Sequence, residues 1–310
     1  MIYTVTLNPA VDKTVEINDF SAGKVNRVSS VRLDAGGKGI NVSKVISSLG
    51  GRSIAMGILG GASGGFIKDY LDCRGIDSDF VFIDEETRTN LKVVDSLKGT
   101  NTDINEPGPL VNSDDLDMLL QKLLDRVRED SIVVFSGSVP DNLDKTIYAR
   151  WIGEIKEKGA ATILDADREL LKNGIKAGPY LVKPNIYELG EIFDTAIEEA
   201  EQAERYARQL VVDFGIELAA VSLGEKGALY VDKKRSLLAH GIKVDVKSTV
   251  GAGDALVAAL AYSIDTKAGF EAAARLATAC SAANVTTAGT QAADWSLIDD
   301  LQERVVLEYL

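Results

Sequence analysis

The sequence is poor in the residues that build disulfide frameworks, metal cages and histidine-based catalytic sites. Among its 310 residues are only two cysteines, Cys73 and Cys280, and one histidine, His240. Two distant cysteines in helix-like segments give no disulfide framework, so we expect a reducing compartment and two small core side chains. His240 lies in an alternating segment that predicts a strand, where a solvated or hydrogen-bonded histidine is expected. A histidine-based triad or a multi-histidine metal site therefore has almost no residues to draw on.

Long hydrophobic runs and excess positive charge are also missing. No apolar run approaches the roughly 20 residues that a membrane-spanning helix needs, and residues 2–7 are too short for a signal-peptide core. The net charge of −13 argues against a protein that binds nucleic acid or anionic membranes. We therefore expect a cytoplasmic protein. Phosphorylated small molecules stay possible ligands, because a cleft can be locally basic on an acidic protein.

Short apolar segments alternate with helical patterns over most of the chain. The predicted strands are 2–7, 53–59, 131–137, 161–166, 180–184 and 218–224. The predicted helices are 39–49, 64–74, 113–129, 143–158, 187–193 and 196–213. Near-continuous apolar strands are typical of a parallel sheet covered on both faces. The alternation therefore predicts a doubly wound, layered α/β fold.

Two segments depart from this alternation. Residues 12–34 and 88–105 alternate polar and apolar side chains, as strands with one face in water do. They predict a small, separate β-sheet that projects from the main sheet as a lid. No linker and no internal repeat divides the chain. We therefore expect one domain, 1–310, with its core in 1–11, 35–87 and 106–310.

The strongest local signal is the segment STVGAGDAL, residues 248–256. Gly251, Ala252 and Gly253 have minimal side chains and precede a helical pattern, so their N–H groups could approach an anion closely. Asp254 then falls in the first helical turn. It is either an acidic residue that favours the helix dipole, or a general base beside an anion cradle that takes a proton from an attacking hydroxyl.

Three further segments bring polar residues to turns. AGGKGINV, residues 35–42, lacks the spacing of a phosphate-binding P-loop, but Lys38 and Asn41 could bind a phosphate and a sugar hydroxyl. Asp12 follows the first strand, at the sheet edge where open α/β sheets bind ligands. Asn185 and Glu188 lie three residues apart in VKPNIYEL. They either cap a helix or organise water around Mg²⁺ at nucleotide phosphates.

Together these motifs carry a family resemblance over essentially the whole chain. AGGKGIN, VKPNIYE, SLGEKGAL and TVGAGDA, in this order and spacing, resemble the PfkB (ribokinase-like) family of carbohydrate kinases. TVTLNPAVD, ETRTNLKV, TDINEPGP and SGSVP resemble its bacterial 1-phosphofructokinase and tagatose-6-phosphate kinase branch. The resemblance implies a three-layer α/β/α sandwich with a mainly parallel central sheet and a small β-sheet lid.

The resemblance also implies ATP-dependent transfer of a phosphoryl group to a hydroxyl of a ketose phosphate, with Mg²⁺. Asp254 takes the position of the catalytic base, and the amides of Gly251 to Gly253 form the anion hole. The positions for the sugar phosphate fall on Asp12, Arg27, Gly37, Lys38, Asn41, Arg88 and Ser138. The positions for the nucleotide fall on Lys183, Asn185, Ser222, Gly224, Gly227 and Asn284, with Glu188 on the Mg²⁺ side through water.

Two residues depart from the family pattern. Arg168 stands where the branch often has a small residue, and no role is assigned to it. Ser248 stands where the wider family commonly has aspartate, which puts a monovalent-cation site in doubt.

Three functions remain open from the sequence. The motifs favour phosphorylation of fructose 1-phosphate at its 6-hydroxyl. A tagatose-6-phosphate kinase or a minor 6-phosphofructokinase, acting on the 1-hydroxyl, is the alternative. A non-catalytic regulator that binds sugar or nucleotide would be expected to have lost Asp254 or its glycines, and both are intact. A half-exposed lid has edges to cover, so we also expect a homodimer joined through the lids.

Overall fold

The computed structural model describes residues 1–310 as fourteen strands and ten α-helices. The strands are β1 Ile2–Thr6, β2 Ala10–Ile17, β3 Val28–Gly36, β4 Ser53–Gly60, β5 Asp77–Ile83, β6 Thr89–Asp95, β7 Thr100–Ile104, β8 Ile132–Ser136, β9 Ala161–Asp165, β10 Leu181–Val182, β11 Leu218–Ser222, β12 Gly227–Asp232, β13 Ser236–His240 and β14 Leu307–Tyr309. The helices are α1 Lys38–Ser48, α2 Gly61–Asp72, α3 Ser113–Arg126, α4 Ile147–Glu157, α5 Arg168–Gly174, α6 Ile186–Ile192, α7 Ala200–Asp213, α8 Ala252–Asp265, α9 Phe270–Asn284 and α10 Trp295–Arg304.

A ten-stranded sheet forms the centre of the molecule, in the order β14-β13-β12-β11-β10-β9-β8-β1-β4-β5. The seven strands from β11 to β5 run parallel, and the three at the other edge run antiparallel. All six strands predicted from apolar runs belong to the parallel part. Parallel neighbours end at the same edge of the sheet, so the segments after these strands lie side by side.

Helices cover both faces of this sheet, because its strands are apolar on both sides. In β1, Tyr3 and Val5 pack among α3, α4 and their neighbours, while Ile2 packs on the opposite face with α1 and α8. Helix α1 approaches β1 closely through small side chains, and the Ser43 and Thr4 hydroxyls lie 2.7 Å apart. This close approach fixes the glycine-rich turn before α1 against the end of β1.

A separate four-stranded sheet, in the order β3-β2-β6-β7, projects beside the end of β1. Alternate residues of each strand share a face. The face toward the main sheet carries a polar row that runs from Asp34 on β3 through Asp12 on β2 to Asn90 on β6. On the other face Val15 and Val93 are buried, whereas Val31, Leu33 and Ile104 are about half exposed. The sheet therefore presents polar groups to the molecule and an apolar surface to the outside.

The single histidine and one of the two cysteines lie where the sequence predicts, and the other cysteine does not. His240 ends β13, and its Nε2 lies 2.8 Å from Glu308 Oε2, as a hydrogen-bonded strand histidine should. Cys280 is buried in α9, and neither cysteine forms a disulfide. The prediction of a core position for Cys73 is wrong: it is exposed at the C-terminal end of α2, where the chain leaves the helix toward solvent. None of the helices has the length and apolarity to cross a membrane.

Candidate functional site

A cavity of about 1800 Å³ lies between the small sheet and the ends of the parallel strands. Five neighbouring strands, β1, β8, β9, β10 and β11, deliver their carboxyl ends or the residues just after them to its floor. Open α/β sheets bind ligands at this edge, because loops from several strands converge there. The N-termini of α1, α6 and α8 also line the cavity, and a helix N-terminus favours anions.

The turn before α8 is shaped by glycine. Gly251 has φ 83°, in the left-handed region, and is the residue that precedes the first turn of α8. A side chain here would place its Cβ 2.9 Å from Asn284 Nδ2, so both this crowding and the backbone conformation favour glycine. The first N–H groups of a helix have no partner within the helix. The turn therefore presents backbone N–H groups and the positive end of the α8 dipole to the cavity.

Asp254 occupies the first turn of α8 and is 6% exposed. Its Oδ2 accepts a hydrogen bond of 2.8 Å from Asn41 Nδ2 on α1. Burial, followed by the negative charge of Asp165, raises the pKa of Asp254 to about 6, although Lys38 and Asn41 act in the other direction. A carboxylate with a pKa close to neutral pH can both accept and release a proton there.

A fully buried carboxylate, Asp165, joins two lysines beneath the cavity. Its Oδ1 lies 3.1 Å from Lys38 Nζ and 3.3 Å from Lys183 Nζ. Burial alone would raise the pKa of Asp165, but Lys183 and Lys38 outweigh it and hold this pKa below its usual value. Asp165 is the last residue of β9 and was missed in the sequence. Its place at the carboxyl end of an apolar strand was the signal that could have found it.

The wall formed by the small sheet carries Asp12, whose Oδ1 accepts a hydrogen bond of 3.1 Å from Asn90 Nδ2. Burial raises the pKa of Asp12 despite this bond. Arg88 lies beside this pair and donates hydrogen bonds to the carbonyl oxygens of Asn8 at 3.0 Å and Glu106 at 2.9 Å. These bonds hold the guanidinium against the loop after β1, so its position is fixed by backbone groups.

Buried polar atoms without a partner in the protein concentrate at this cavity. Six of the ten such side-chain atoms belong to residues that line the cavity: Thr6 Oγ1, Asn8 Oδ1, Asn41 Oδ1, Arg88 Nε, Asn90 Oδ1 and Asp165 Oδ2. A buried polar group with no partner costs free energy, which a fold seldom tolerates outside a ligand site. Their concentration marks the place where polar ligand groups bind.

The opposite end of the cavity begins at α6. Asn185 Oδ1 accepts from the N–H groups of Tyr187 and Glu188, and Glu188 Oε2 accepts from the N–H of Asn185 at 2.7 Å. The capping box that the spacing allowed is thus present. Beyond it, apolar side chains of the segment after β13 and of α9 line a slot: Ile242, Val244, Val246, Ala282 and Val285.

No group of three or more histidine, cysteine, aspartate or glutamate side chains could hold a metal ion by itself. Glu188 lines the cavity as a half-buried carboxylate, and burial raises its pKa although Lys183 lies nearby. Mg²⁺ usually keeps several waters and takes one or two carboxylates together with substrate phosphates. A single glutamate fits this kind of Mg²⁺ site, in which water and substrate phosphates supply the other ligands.

Sixteen of the eighteen residues that the sequence suggested line this cavity: Asp12, Gly37, Lys38, Asn41, Arg88, Ser138, Lys183, Asn185, Glu188, Ser222, Gly224, Gly227, Gly251, Ala252, Gly253 and Asp254. Arg27 and Asn284 do not. Arg27 is exposed in the loop between β2 and β3, at the end of the small sheet farther from β1. Asn284 is buried behind Gly251. Arg168 begins α5 with φ 47° and also lies outside the lining.

The chain is similar to known carbohydrate kinases over nearly its whole length. Residues 5–297 match the model of the pfkB family of carbohydrate kinases. A 1-phosphofructokinase of Bacillus subtilis is 37% identical, with 89% of each chain covered. A tagatose-6-phosphate kinase of Staphylococcus epidermidis is 34% identical, with 85% of this chain and 85% of that protein covered.

The fold has a close counterpart among solved structures. Phosphofructokinase-2 from Escherichia coli, in complex with potassium, superimposes with a TM-score of 0.93 at 28% identity, and the match covers 98% of both chains. These comparisons confirm the family resemblance and the ribokinase-like fold class that the motifs predict.

We expect Asp165→Asn to lower the free energy of unfolding by about 3 kcal/mol, because it leaves two lysines without their buried partner. Urea denaturation followed by circular dichroism measures the change. Asp77→Asn is the matched control, since Asp77 pairs with Arg52 at the surface, where both side chains are more than half exposed. Its effect should stay below about 1 kcal/mol. Equal effects of the two substitutions would show that Asp165 is not held as a buried ion pair.

Proposed function

Because this chain belongs to the pfkB family of carbohydrate kinases, we propose that it phosphorylates fructose 1-phosphate at the 6-hydroxyl with ATP. The products are fructose 1,6-bisphosphate and ADP. The observation that carries the proposal is a buried Asp254, hydrogen-bonded to Asn41, in the first turn of a helix whose N-terminus is glycine-shaped. The similarity to a 1-phosphofructokinase supports this choice of sugar.

Asp254 acts as the general base in this proposal. Its carboxylate takes the proton of the 6-hydroxyl while the hydroxyl oxygen bonds to the γ-phosphorus of ATP. The bond between the γ-phosphorus and the bridging oxygen breaks, and that oxygen leaves with ADP. The N–H groups of Gly251, Ala252 and Gly253 stabilise negative charge on the transferred group. Lys183 supports the same region, since a Cβ on Gly253 would lie 3.3 Å from Lys183 Nζ.

The sugar phosphate binds at the small-sheet end of the cavity. Asp12 and Asn41 accept or donate hydrogen bonds to sugar hydroxyls, and Gly37 lets the backbone approach the ring. Arg88 and Ser138 bind the phosphate that the sugar already carries. Lys38 lies between the two ends of the cavity, where it can neutralise charge during transfer. This assignment uses the unpartnered atoms of Asn41 and Arg88, which a sugar phosphate would satisfy.

The nucleotide binds at the other end. Lys183, Asn185, Ser222, Gly224 and Gly227 contact its phosphates and ribose, and the apolar slot beside α9 receives the adenine. Asn284 is better placed to support the Gly251 turn from behind than to touch the base.

Mg²⁺ would neutralise charge on the phosphates of ATP, and Glu188 would hold it through water. The remaining oxygen of Glu188 is free for this, because only Oε2 takes part in the capping box.

Tagatose 6-phosphate or fructose 6-phosphate, phosphorylated at the 1-hydroxyl, is the second candidate substrate class. The similarity to a tagatose-6-phosphate kinase at 34% identity favours keeping it. A ketose bisphosphate is nearly symmetric, so either orientation of the sugar brings one hydroxyl to Asp254 and one phosphate to Arg88.

A homodimer joined through the small sheets would complete the site. The outer face of the small sheet exposes Val31, Leu33 and Ile104, and water contact with these side chains is unfavourable. Arg27 does not line the cavity of its own chain. Across such an interface, the guanidinium of Arg27 could reach the sugar phosphate bound by the other copy.

The substrate assignment predicts an ordering of three sugars. With purified protein, ATP and Mg²⁺, we expect kcat/KM for fructose 1-phosphate to exceed that for tagatose 6-phosphate and fructose 6-phosphate by about tenfold or more. Production of ADP, measured by a coupled assay, gives all three values. A preference for tagatose 6-phosphate would transfer the assignment to the second class, and no turnover with any of them would reject both.

The assignment of Asp254 as the base predicts how kcat depends on pH on the acid side. At saturating substrates, kcat should rise with pH through about 6, because only the deprotonated form of Asp254 accepts a proton. Asp254→Asn should reduce kcat by about 100-fold or more. Stopped-time assays between about pH 5 and pH 8, at constant ionic strength, measure kcat as a function of pH.

Asn41→Ala separates this limb from titration of the substrate, since a phosphate monoester also has a pKa of about 6. Loss of the hydrogen bond to Asp254 Oδ2 favours the protonated acid, so the limb should move upward by about one pH unit. An unchanged limb in Asn41→Ala would assign it to the sugar phosphate instead.

The proposed interface predicts a dimer in solution and its dissociation when the interface is disrupted. Sedimentation should give a species of twice 33.2 kDa. Val31→Asp should yield monomers and raise KM for the sugar phosphate about as much as Arg27→Ala does, because both remove the same cation. Val212→Asp, at an exposed valine on α7, is the matched control and should stay dimeric. Full activity in a monomeric Val31→Asp protein would refute the role of Arg27.

A further inference from the structure

Lys44 is a buried cation that the proposed chemistry does not use. It lies on α1 and is 5% exposed. Its Nζ donates a hydrogen bond of 2.9 Å to the carbonyl oxygen of Ala35, near the end of β3, and one of 3.2 Å to Thr290 Oγ1. Thr290 belongs to the loop 285–294 between α9 and α10. One ammonium group therefore ties together the small sheet, α1 and the loop between α9 and α10.

The small sheet and this loop also touch at a second place. Arg32 and Asp34, paired on β3 at 2.7 Å, pack against Gly289. A Cβ at Gly289 would lie 2.2 Å from Arg32 Nη2 and 3.3 Å from Asp34 Oδ2, so the loop backbone rests directly on the ion pair. Two independent contacts thus make the position of the loop depend on the position of β3.

The same loop supports the turn that forms the anion cradle. A Cβ at Gly251 would lie 4.0 Å from Thr290 Cα and 2.9 Å from Asn284 Nδ2. The carbonyl oxygen of Val285 accepts hydrogen bonds from the N–H groups of Lys247 and Ser248, just before that turn. Contacts therefore run from Ala35 on the small sheet, through Lys44 and Thr290, to the neighbourhood of the Gly251 turn.

The charges around Lys44 belong to both ends of this chain of contacts. Burial lowers the pKa of Lys44 to about 8, and the carboxylates of Asp34, Asp12 and Asp254 oppose that effect. Asp12 and Asp34 face the sugar, whereas Asp254 is the proposed base. The ammonium group therefore lies in the field of carboxylates from both ends of the cavity, while its hydrogen bonds go to Ala35 and Thr290.

We propose that Lys44 is a positioning residue that couples binding of the sugar phosphate on the small sheet to the position of the phosphoryl cradle at Gly251. Sugar binding on Asp12 fixes β3, Ala35 holds Lys44, and Lys44 holds Thr290 beneath the cradle. The coupling is reciprocal, so nucleotide in the cradle tightens sugar binding by the same factor. The inference rests on the proposed division of the cavity into a sugar end and a nucleotide end.

Lys44→Met tests it, because methionine keeps the length of the side chain and removes both hydrogen bonds. The dissociation constant of a ketose phosphate is measured by calorimetry with and without a non-hydrolysable ATP analogue. The sugar used is whichever one the wild-type protein phosphorylates fastest. We expect the analogue to tighten sugar binding about tenfold in the wild type, within the usual range of coupling between sites. In Lys44→Met the ratio should fall close to one, and kcat should fall with it.

Three further variants make the test specific. Thr290→Val removes the acceptor but keeps the lysine, so it should lower the ratio as well. The double variant should lower the ratio no further, since both changes break one linkage. Lys44→Arg, which keeps the charge and the donors, should restore much of the ratio. Lys68→Met is the control: Lys68 pairs with Asp72 on the surface of α2, so its loss should leave the ratio unchanged.

Several results would overturn the proposal. A wild-type ratio of one would remove the coupling itself. An unchanged ratio in Lys44→Met would reduce the lysine to a structural role, even if the melting temperature and kcat both fell. Independent, additive effects of Lys44→Met and Thr290→Val would break the proposed linkage between them. If fructose 1-phosphate proves not to be a substrate, another ketose phosphate replaces it in the calorimetry, and the same three results would still overturn the role of Lys44.

Discussion

The site depends on the mutual neutralisation of charges that none of its residues could bear alone. Asp165 is completely buried and contacts two ammonium groups, and Asp254 lies close enough for its charge to be felt by both Asp165 and Lys38. A buried charge without a partner costs several kcal/mol, roughly, so each member requires the others. The parallel sheet makes this possible, since it brings the ends of β9 and β10 and the start of α8 to one place. Without this alignment of strand ends and helix start, the charged side chains would have no partners.

The same constraint explains why the surroundings are so short of hydrogen-bond partners. A wall that must bind a polar ligand cannot spend all its donors and acceptors on itself, and Asn8, Asn41 and Asn90 each keep one oxygen unpartnered. The backbone is shaped to the same end. Gly251 adopts a left-handed conformation that favours glycine, and this turn presents the N-terminus of α8 to the cavity. Local stability is given up where ligand binding requires it.

The sequence predicted the parts of the fold that follow from local pattern. Six apolar runs became six parallel strands, because burial on both faces leaves a continuous signal. The glycine turns were found because glycine marks positions where the backbone approaches a ligand or turns sharply. Pairings over long distances were not, and Asp165 lies 127 residues from Lys38 in the chain. Strand β10 has only two residues, and within the antiparallel edge formed by β12 to β14 only the segment around His240 was predicted as a strand. Cys73 was misplaced because the end of α2 could not be fixed by periodicity alone.

An acidic chain that binds anionic ligands needs its positive charge concentrated in the binding cavity and not spread over its surface. One carboxylate cannot neutralise two ammonium groups, so the cluster of Lys38, Lys183 and Asp165 keeps an excess of positive charge at the floor of the cavity. Asp254 balances part of this excess as long as it is ionised. When it takes up a proton, the balance shifts toward positive charge beside the α8 N-terminus. A proton moving onto Asp254 therefore makes the floor more favourable for negative charge, which is the electrostatic change that a phosphoryl group in transit requires.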